Sequence, residues 1–540
     1  MPAFDDETPV LFAGGGLVGL STAMFLAQYG CASTAVERLR GGSPVPRAAF
    51  FHMRTLEMFR AAGIEGQVRR QSLEEFEPEG AIVLMDSLAG RQIAGLIPSL
   101  NEGVDALSPC RRLFITQPGL EPILRARAER AGARVFEGTD LVGVEQDADG
   151  VTATVKDADT GAIRRIRSKY LVGTDGAHSR VREILNIPFD GRGVFTNSIT
   201  IYFHAPLASF LVGKNLSVIY ITNPALSGFF RLDKDGNSGF LVVNTVGDTS
   251  RPEAANPAAD VTHAHLVDLV RAAAGSKDVP VTIDGVARWR ATSDVARSFR
   301  AGRVFLAGDA AHLMPPNGGY GGNTGIHDGH NLAWKLALVL KGVAGPALLD
   351  TYEIERRPVA KFTVEQAYTR YVTRSATYLG AKDFQPLVDD FHIELGYLYR
   401  SSAVISEDDL DRGHEDPHES RGRPGSRAPH LWLENAHGRL STLDLFGPSF
   451  VLLGAQDGLA WRDAAHAAAS EFAGLELQTH LVGQDGLRDP SGTFLEAYGL
   501  TESGVVLVRP DGFIAWRQHS MPLDPGGSLT KALAGLLKRP

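Results

Sequence analysis

The residues with the plainest chemical purpose in this chain are glycines. Gly14-Gly15-Gly16-Leu17-Val18-Gly19 follows the apolar run Pro9–Ala13 and precedes an amphipathic stretch, Leu20–Tyr29, that Gly30 ends. At this spacing Gly14 permits a tight turn, Gly16 lets the backbone approach a pyrophosphate, and Gly19 lets a helix pack closely on a strand. The N–H groups of the helix start, with their share of the helix dipole, favour the same anion, which makes Leu17 and Val18 cofactor-binding candidates beside the glycines. Glu37, eighteen residues beyond Gly19, closes a second strand-like run, Ser33–Glu37, where an acid can accept both hydroxyls of an adenosine ribose.

Two later segments have related chemistry. Gly302-Arg303-Val304-Phe305-Leu306-Ala307-Gly308-Asp309-Ala310-Ala311-His312 is a buried-strand pattern running into Gly-Asp, whose carboxylate can accept hydrogen bonds from a polyhydroxyl chain. Pro315-Pro316-Asn317-Gly318-Gly319-Tyr320-Gly321-Gly322-Asn323 then leads to a long helix expected over Thr324–Leu340. Four glycines in six residues suit a backbone that must lie against a flat ligand. The N–H groups at that helix start can stabilise negative charge on a ring. Between these segments, Gly173-Thr174-Asp175-Gly176-Ala177-His178-Ser179-Arg180-Val181-Arg182 follows Tyr170–Val172. Alone it reads as a strand, a turn and a helix capped by Ser179 or Asp175.

The elements that must carry these residues begin with a βαβ unit over 9–37. Helices are expected at 53–62 and 118–131, and strands at 133–137, 141–146, 151–156 and 169–174. From about 191 to 287 the pattern turns to period two: Ile199, Ile201 and Phe203 alternate with Thr200 and Tyr202, and Val218 and Tyr220 with Ile219 and Ile221. That is the signature of an antiparallel sheet inserted into the first domain. Asp409–Pro429, rich in charge, Gly and Pro, reads as a linker. Strands near 450–453, 477–482, 504–508 and 513–517 with a helix at 460–473 make a small α/β domain at the end.

Composition narrows the function. With 540 residues the chain exceeds one ordinary domain, and 44% hydrophobic residues allow a large core. A formal net charge of -9 argues against nucleic acid as a partner. Two cysteines, Cys31 and Cys110, form no CxxC and exclude a disulfide framework. The longest apolar runs are strand-length, and the acidic N-terminus lacks a signal peptide's basic region, so the expectation is a cytoplasmic protein with no membrane partner. His312, His327 and His330 have no Cys, Asp or Glu set around them that completes a metal site, so no metal is expected. Hydrolysis has no GxSxG elbow to support it.

In order and spacing, the three glycine-bearing segments resemble the single-component flavoprotein aromatic hydroxylases of the para-hydroxybenzoate hydroxylase type. The resemblance covers about residues 8–370. Gly-Gly-Tyr-Gly-Gly-Asn-Thr-Gly-Ile, His330–Lys335, Leu349–Glu353 and Glu355–Pro358 are most similar to bacterial aromatic-polyketide hydroxylases, as is a C-terminal domain like thioredoxin but without CxxC. The fold implied is α/β: a Rossmann-like FAD-binding domain (1–78, 103–190, 288–370), an inserted antiparallel-sheet substrate domain (79–102, 191–287), a helical connection (371–414) and a thioredoxin-like domain (415–540).

The resemblance also implies roles. Gly14, Gly16, Gly19 and Glu37 would hold the ADP half of FAD. Asp175 would serve FAD and the nicotinamide cofactor, and Gly308 and Asp309 would reach the ribityl chain and pyrophosphate. The loop Pro316, Gly319, Gly321, Gly322, Asn323 would face the isoalloxazine. Arg47 is similar to an arginine near the flavin and Gln117 to a glutamine on its sugar chain; a surface arginine and a helix-start glutamine are the alternatives. Arg38 and Arg40, just after Glu37, stand where relatives carry a basic residue, with surface charge the alternative. His327 departs from a common glutamine, at the flavin edge.

The implied reaction is hydroxylation of a phenol-like aromatic, such as a polyketide, by FAD, NADPH or NADH, and O2 through a flavin C4a-hydroperoxide. The apolar face of the inserted sheet would exclude water. Baeyer–Villiger or epoxidising oxygen insertion is the alternative reaction, and a non-catalytic flavin-binding scaffold the alternative class. Tyr220, Arg370 and Arg374, with Tyr368 and Tyr371, are candidates to assist phenol deprotonation, against packing or surface charge. A homodimer is the one assembly entertained.

Overall fold

Consecutive apolar residues in a strand need cover on both faces. The run at Val10–Phe12 is wholly buried, within the strand Asp6–Ala13, which pairs in parallel with Ser33–Glu37 on one side and Ile163–Gly173 on the other. The computed structural model describes residues 4–42, 49–245, 262–374, 383–408, 412–484 and 486–538. The first sheet is ordered Arg300–Ala301, Val304–Leu306, Ile163–Gly173, Asp6–Ala13, Ser33–Glu37, Ala133–Glu137. All its neighbours along that path are parallel except the first pair. Thr139–Gln146 and Val151–Asp157 fold back on Ile163–Gly173 as an antiparallel ribbon.

Helix α1 (Leu17–Gln28) packs beside this sheet and starts three residues before the expected Leu20, so the N–H groups of Leu17, Val18 and Gly19 form its open first turn. Helices α2 (Met53–Ala61) and α4 (Gln117–Arg130) lie within a residue of their expected bounds. Between them α3 (Glu65–Glu75) was not anticipated, because it buries only Val68 and Ser72 and shows no apolar stripe. The short α5 (Arg180–Ile184) is capped by Ser179, whose Oγ accepts from Arg182 N–H.

The second sheet has eight strands: His312–Leu313, Thr282–Ala296, Phe189–His204, Ser238–Thr245, Ser227–Leu232, Leu216–Thr222, Ala81–Met85 and Gln92–Ile97. Phe189–His204 and Thr282–Ala296 run unbroken across the anticipated boundaries at 190/191 and 287/288. Ile199, Ile201, Phe203, Ile219 and Ile221 pack against α6 (His263–Ala274). That apolar face is therefore turned away from the cavity, contrary to its expected use as a water-excluding lid. The alternating set, Thr200, Tyr202, Val218 and Tyr220, faces the cavity instead. An unanticipated helix, α6, had the first claim on the aliphatic face.

Helix α7 (Tyr320–Leu340) begins four residues before the expected Thr324, because Gly319, at φ 70°, ends the loop and Tyr320-Gly321-Gly322 is already helical. Helix α8 (Thr351–Arg374) has Pro358 inside it, a residue that cannot donate to the carbonyl one turn back and that obscures helical reading. After α9 (Asp390–Glu394) the chain enters a second core, where Leu477–Val482, Phe450–Ala455, Val505–Val508 and Ile514–Gln518 form a sheet with only the first pair parallel. With α10 (Ala460–Glu471), α11 (Phe494–Tyr498) and α12 (Pro525–Leu537) this is a thioredoxin-like arrangement.

The segment read as a linker is packed over its second half, where Pro424–Ala428 are buried. Arg427 pairs with Glu57 at 2.6 Å, and Arg509 grips Glu355 of α8 at 2.6 and 2.9 Å. Lys335 reaches the same carboxylate at 2.7 Å, and Trp334 donates to Asp511 at 3.2 Å. Within the segment Arg427 spends its charge in a buried ion pair and Arg412 and Arg423 bridge to Glu415, while His418, Glu419 and Arg421 stay exposed. Among the described residues no helix is long and apolar enough to cross a membrane.

Candidate active site

A cavity of about 1210 Å³ runs from the glycine turn after the first strand to the inner face of the second sheet. At its first end Gly14 has φ 112°, and a Cβ there would lie 2.3 Å from the Thr174 carbonyl oxygen. Only glycine fits. Thr174 also fixes the turn, since its Oγ1 donates to the Gly14 carbonyl at 2.8 Å, a role the sequence reading missed. Gly16, Leu17 and Val18 line the cavity; Gly19 does not, and serves by close packing on the Gly14 carbonyl. The Glu37 carboxylate accepts from Gly15 N–H at 2.8 Å and Leu39 N–H at 2.9 Å, and it lines the same end with Arg38. Each oxygen keeps acceptor capacity for an incoming hydroxyl.

Gln117 lines the cavity and donates to Glu121 at 2.6 Å. Asp175 lines it too, although its carboxylate accepts from Ser179 Oγ at 2.5 Å and Val181 N–H at 3.0 Å. The capping role read for the isolated segment is thus present, and burial pushes this carboxyl up. Arg47 lies outside the described residues.

Asp309 lines the middle of the cavity, while Gly308 lies behind it. A buried triad holds this turn: Asp328 accepts from Gly308 N–H at 3.1 Å, His312 Nε2 at 2.8 Å and Arg356 Nε at 2.8 Å. His312 is therefore an orienting residue of the Gly-Asp turn. No group of three or more His, Cys, Asp or Glu among the described residues could hold a metal ion.

Pro316, Gly319, Gly321 and Gly322 line the next stretch, where the open N–H groups of α7 belong to Tyr320, Gly321 and Gly322, not to residues after Thr324. Asn323 is absent from the lining. Its side chain is wholly engaged, donating to the carbonyls of Phe50 at 2.9 Å and Gly319 at 2.7 Å and accepting from His52 N–H and Thr55. It ties α2 to the loop rather than presenting its amide to a ligand. His52 Nε2 meets the Gly318 carbonyl at 2.9 Å from the same side. His327 is also away from the lining, buried between Thr55 at 3.0 Å and Tyr397 at 3.4 Å. Burial, then Arg356 and Arg54, hold its imidazole well below the usual range and hence neutral.

The far end is an aromatic chamber. Tyr220 and Phe229 are cross-strand partners with ring centroids 5.8 Å apart, and Phe240 lies 6.2 Å beyond Phe229. Asn317 Nδ2 donates to the Tyr220 hydroxyl at 3.3 Å, joining this wall to the glycine loop. Arg231 also lines the chamber, and burial pushes its guanidinium down to about 9. Sequence reading missed it; a lone arginine two residues from Phe229 on an otherwise apolar strand was the available signal. Arg374 lines the mouth. Arg370 does not: it is held by Asp390 at 2.6 Å, the Val388 carbonyl at 2.6 Å and Gln366 at 3.0 Å, so it anchors the segment before α9 and has no access to a ligand. Tyr368 and Tyr371 pack on Phe195 and are likewise absent from the lining.

Two family patterns match this chain, the FAD binding domain over residues 7–367 and the C-terminal domain of aromatic-ring hydroxylases over 421–540. A 4-methyl-5-nitrocatechol 5-monooxygenase from Burkholderia sp is 51% identical over 542 residues, covering 99% of this chain and 98% of that protein. A tetracenomycin A2 monooxygenase-dioxygenase from Streptomyces glaucescens is 38% identical, covering 99% and 97%. The crystal structure of aklavinone-11 hydroxylase with FAD and aklavinone superposes with a TM-score of 0.93 at 37% identity, covering 99% of this chain and 100% of that one. A flavin-dependent monooxygenase solved with FAD and substrate gives 0.89 at 33%, with full coverage of both chains.

Proposed function

From the premise that this chain belongs to the FAD-binding-domain family and carries the C-terminal domain of the aromatic-ring hydroxylases, we propose how its cavity is used. The chain is a FAD-dependent monooxygenase that hydroxylates an aromatic substrate. In our reading the reductant is NADPH or NADH, the oxidant is O2, and the substrate is a phenol. The observation that carries this is the continuity of one cavity from the glycine turn at Gly14 to the wall of Tyr220, Phe229 and Phe240.

The residues present fit FAD. Gly14 and Gly16 clear the approach to the open first turn of α1, where a pyrophosphate would gain N–H donors. Glu37 has spare acceptor capacity for a ribose, and Arg38 stands beside it. Gln117, Asp175 and Asp309 would meet the sugar chain and phosphates. Pro316 and Gly319 would lie against the ring, with the N–H groups of Gly321 and Gly322 at its edge. Gly19, Gly308 and Asn323 would act from behind by shaping the backbone. FAD bound here would supply electron transfer and oxygen activation; the protein supplies orientation and dryness. The aromatic wall excludes water from the chamber, and Tyr220, tied to Asn317, can meet a substrate oxygen beside the loop. A division into FAD, sheet and thioredoxin-like domains follows the same reading. Two buried cysteines without a disulfide suit a reducing, cytoplasmic setting.

The relative at 51% identity is named for a catechol and others for polyketide products, so both sizes of phenol belong in the test. FAD-loaded protein is mixed with NADPH or NADH, and reductant oxidation is followed with and without one-ring catechols and fused-ring phenols. We expect stimulation by a phenol and a ring-hydroxylated product by NMR. Oxidation that ignores every phenol would contradict the reading, and a ring-expanded lactone or epoxide would replace hydroxylation. Gly14→Ala should be isolated colourless.

A further inference from the structure

The two most enclosed arginines of the cavity wall are Arg112 and Arg231, and only one has a counter-ion. Arg112 meets Glu394 at 2.9 Å. Arg231 is 4% exposed and makes no ion pair among the described residues. Alternation along Ser227–Leu232 sends Phe230 and Leu232 toward α6 and turns Phe229 and Arg231 to the chamber. The guanidinium lies between two rings, 3.6 Å from the Phe114 centroid and 4.0 Å from that of Phe76. One of its nitrogens donates to the Ser217 carbonyl, while Nε and Nη2 have no partner among the described residues. Phe76, Phe114 and Ser217, the groups facing it from the neighbouring elements, do not titrate.

A cation taken from water without a counter-ion is costly, and contacts with ring faces return only part of that cost. Such a charge is accounted for if its anion arrives with the ligand. We propose that Arg231 is the anion-binding residue of the substrate chamber and takes the ring oxygen of an aryl oxyanion, a phenolate or catecholate. This rests on the hydroxylase reading above and deepens it. Ionised oxygen pushes electron density to the ortho and para ring carbons, which an electrophilic oxygen donor needs. The proton leaves to solvent before binding, so the chamber requires no carboxylate base. Preferred substrates are then phenols acidic enough to ionise near neutral pH. Because the two rings seal Nε and Nη2 from water, the arriving oxygen must turn Phe114, the ring of the pair that lines the cavity.

The test uses 4-nitrocatechol, whose visible absorbance reports its ionisation, bound to the FAD-loaded enzyme over a pH series. The bound dye should ionise at least about one unit lower than in buffer. Arg231→Met, matched in length and retaining FAD, should lose that shift and bind the anion at least roughly tenfold more weakly. Arg231→Lys should recover part of both. A dye that ionises as in buffer, that binds only when neutral or not at all, or that binds Arg231→Met as tightly as wild type overturns the assignment and leaves Arg231 as a packing clamp. The wild-type measurement stands even if a variant misfolds. Anion-selective binding without phenol-stimulated NAD(P)H oxidation would sink the hydroxylase reading and spare this one; turnover with an unshifted dye would do the reverse.

Discussion

Arg509 and Arg231 are both buried arginines flanked by aromatic rings, yet their surroundings differ in one respect. Arg509 is bound by two carboxylates, Glu355 and Asp511, at the junction of the FAD-binding and thioredoxin-like cores. Arg231 faces the cavity between two rings and pairs with no carboxylate among the described residues. A buried charge that the chain itself answers is architecture. One left unanswered at a cavity wall is reserved for something that binds there.

That contrast can be broken by substitution. Arg509→Met leaves Asp511 without its cation and Glu355 with Lys335 alone in the interior, and should cost on the order of 3–5 kcal/mol, read as a fall in the thermal midpoint. An unchanged midpoint would mean the junction is not held by this cluster.

The second junction pair gives a pH test. Burial pushes the Glu57 carboxyl up, but Arg427 and then Arg54 outweigh it and hold it at about 2. A carboxyl depressed in the folded state stabilises above its unfolded value, and that contribution is lost as pH falls through the folded one. Docking should therefore weaken between about pH 4.3 and pH 2, by on the order of 2–3 kcal/mol, visible in near-UV circular dichroism. Glu57→Gln should be destabilised at neutral pH and lack that acid step.

The chamber should respond in the opposite direction. Arg231→Met, in the absence of substrate, should leave stability unchanged or raise it by up to roughly 2 kcal/mol, because an unpaired cation is removed from the interior. A large loss would show that its ring contacts are structural. The smallest effect is expected at His327. It is neutral, hydrogen-bonded and away from the cavity, so His327→Gln should shift stability by less than about 1 kcal/mol and leave the flavin spectrum unchanged. A spectral shift would place that side chain nearer the cofactor than Thr55 and Tyr397 allow.

What could be read before the fold was known follows the same division. Gly14 and Gly19 were legible because the turn and the helix packed against it leave no choice of residue, and the inserted sheet was legible from period-two alternation. Which face of that sheet meets the cavity was not, since it depended on α6. Asn323 and Arg370 carry suitable groups, but three-dimensional partners consume them. Arg427 looked like part of a linker because its partner, Glu57, lies 370 residues away in sequence. Arg231 escaped for the converse reason: the lack of a counter-ion is a property of space.

Oxygen transfer should take place within the cavity that joins the glycine turn to the aromatic chamber. The direct measurement is turnover of the FAD-loaded enzyme with a phenol and NAD(P)H under ¹⁸O₂, with mass and NMR analysis of the product. One labelled oxygen on a ring carbon is predicted. Label confined to hydrogen peroxide, or product oxygen drawn from water, would contradict it.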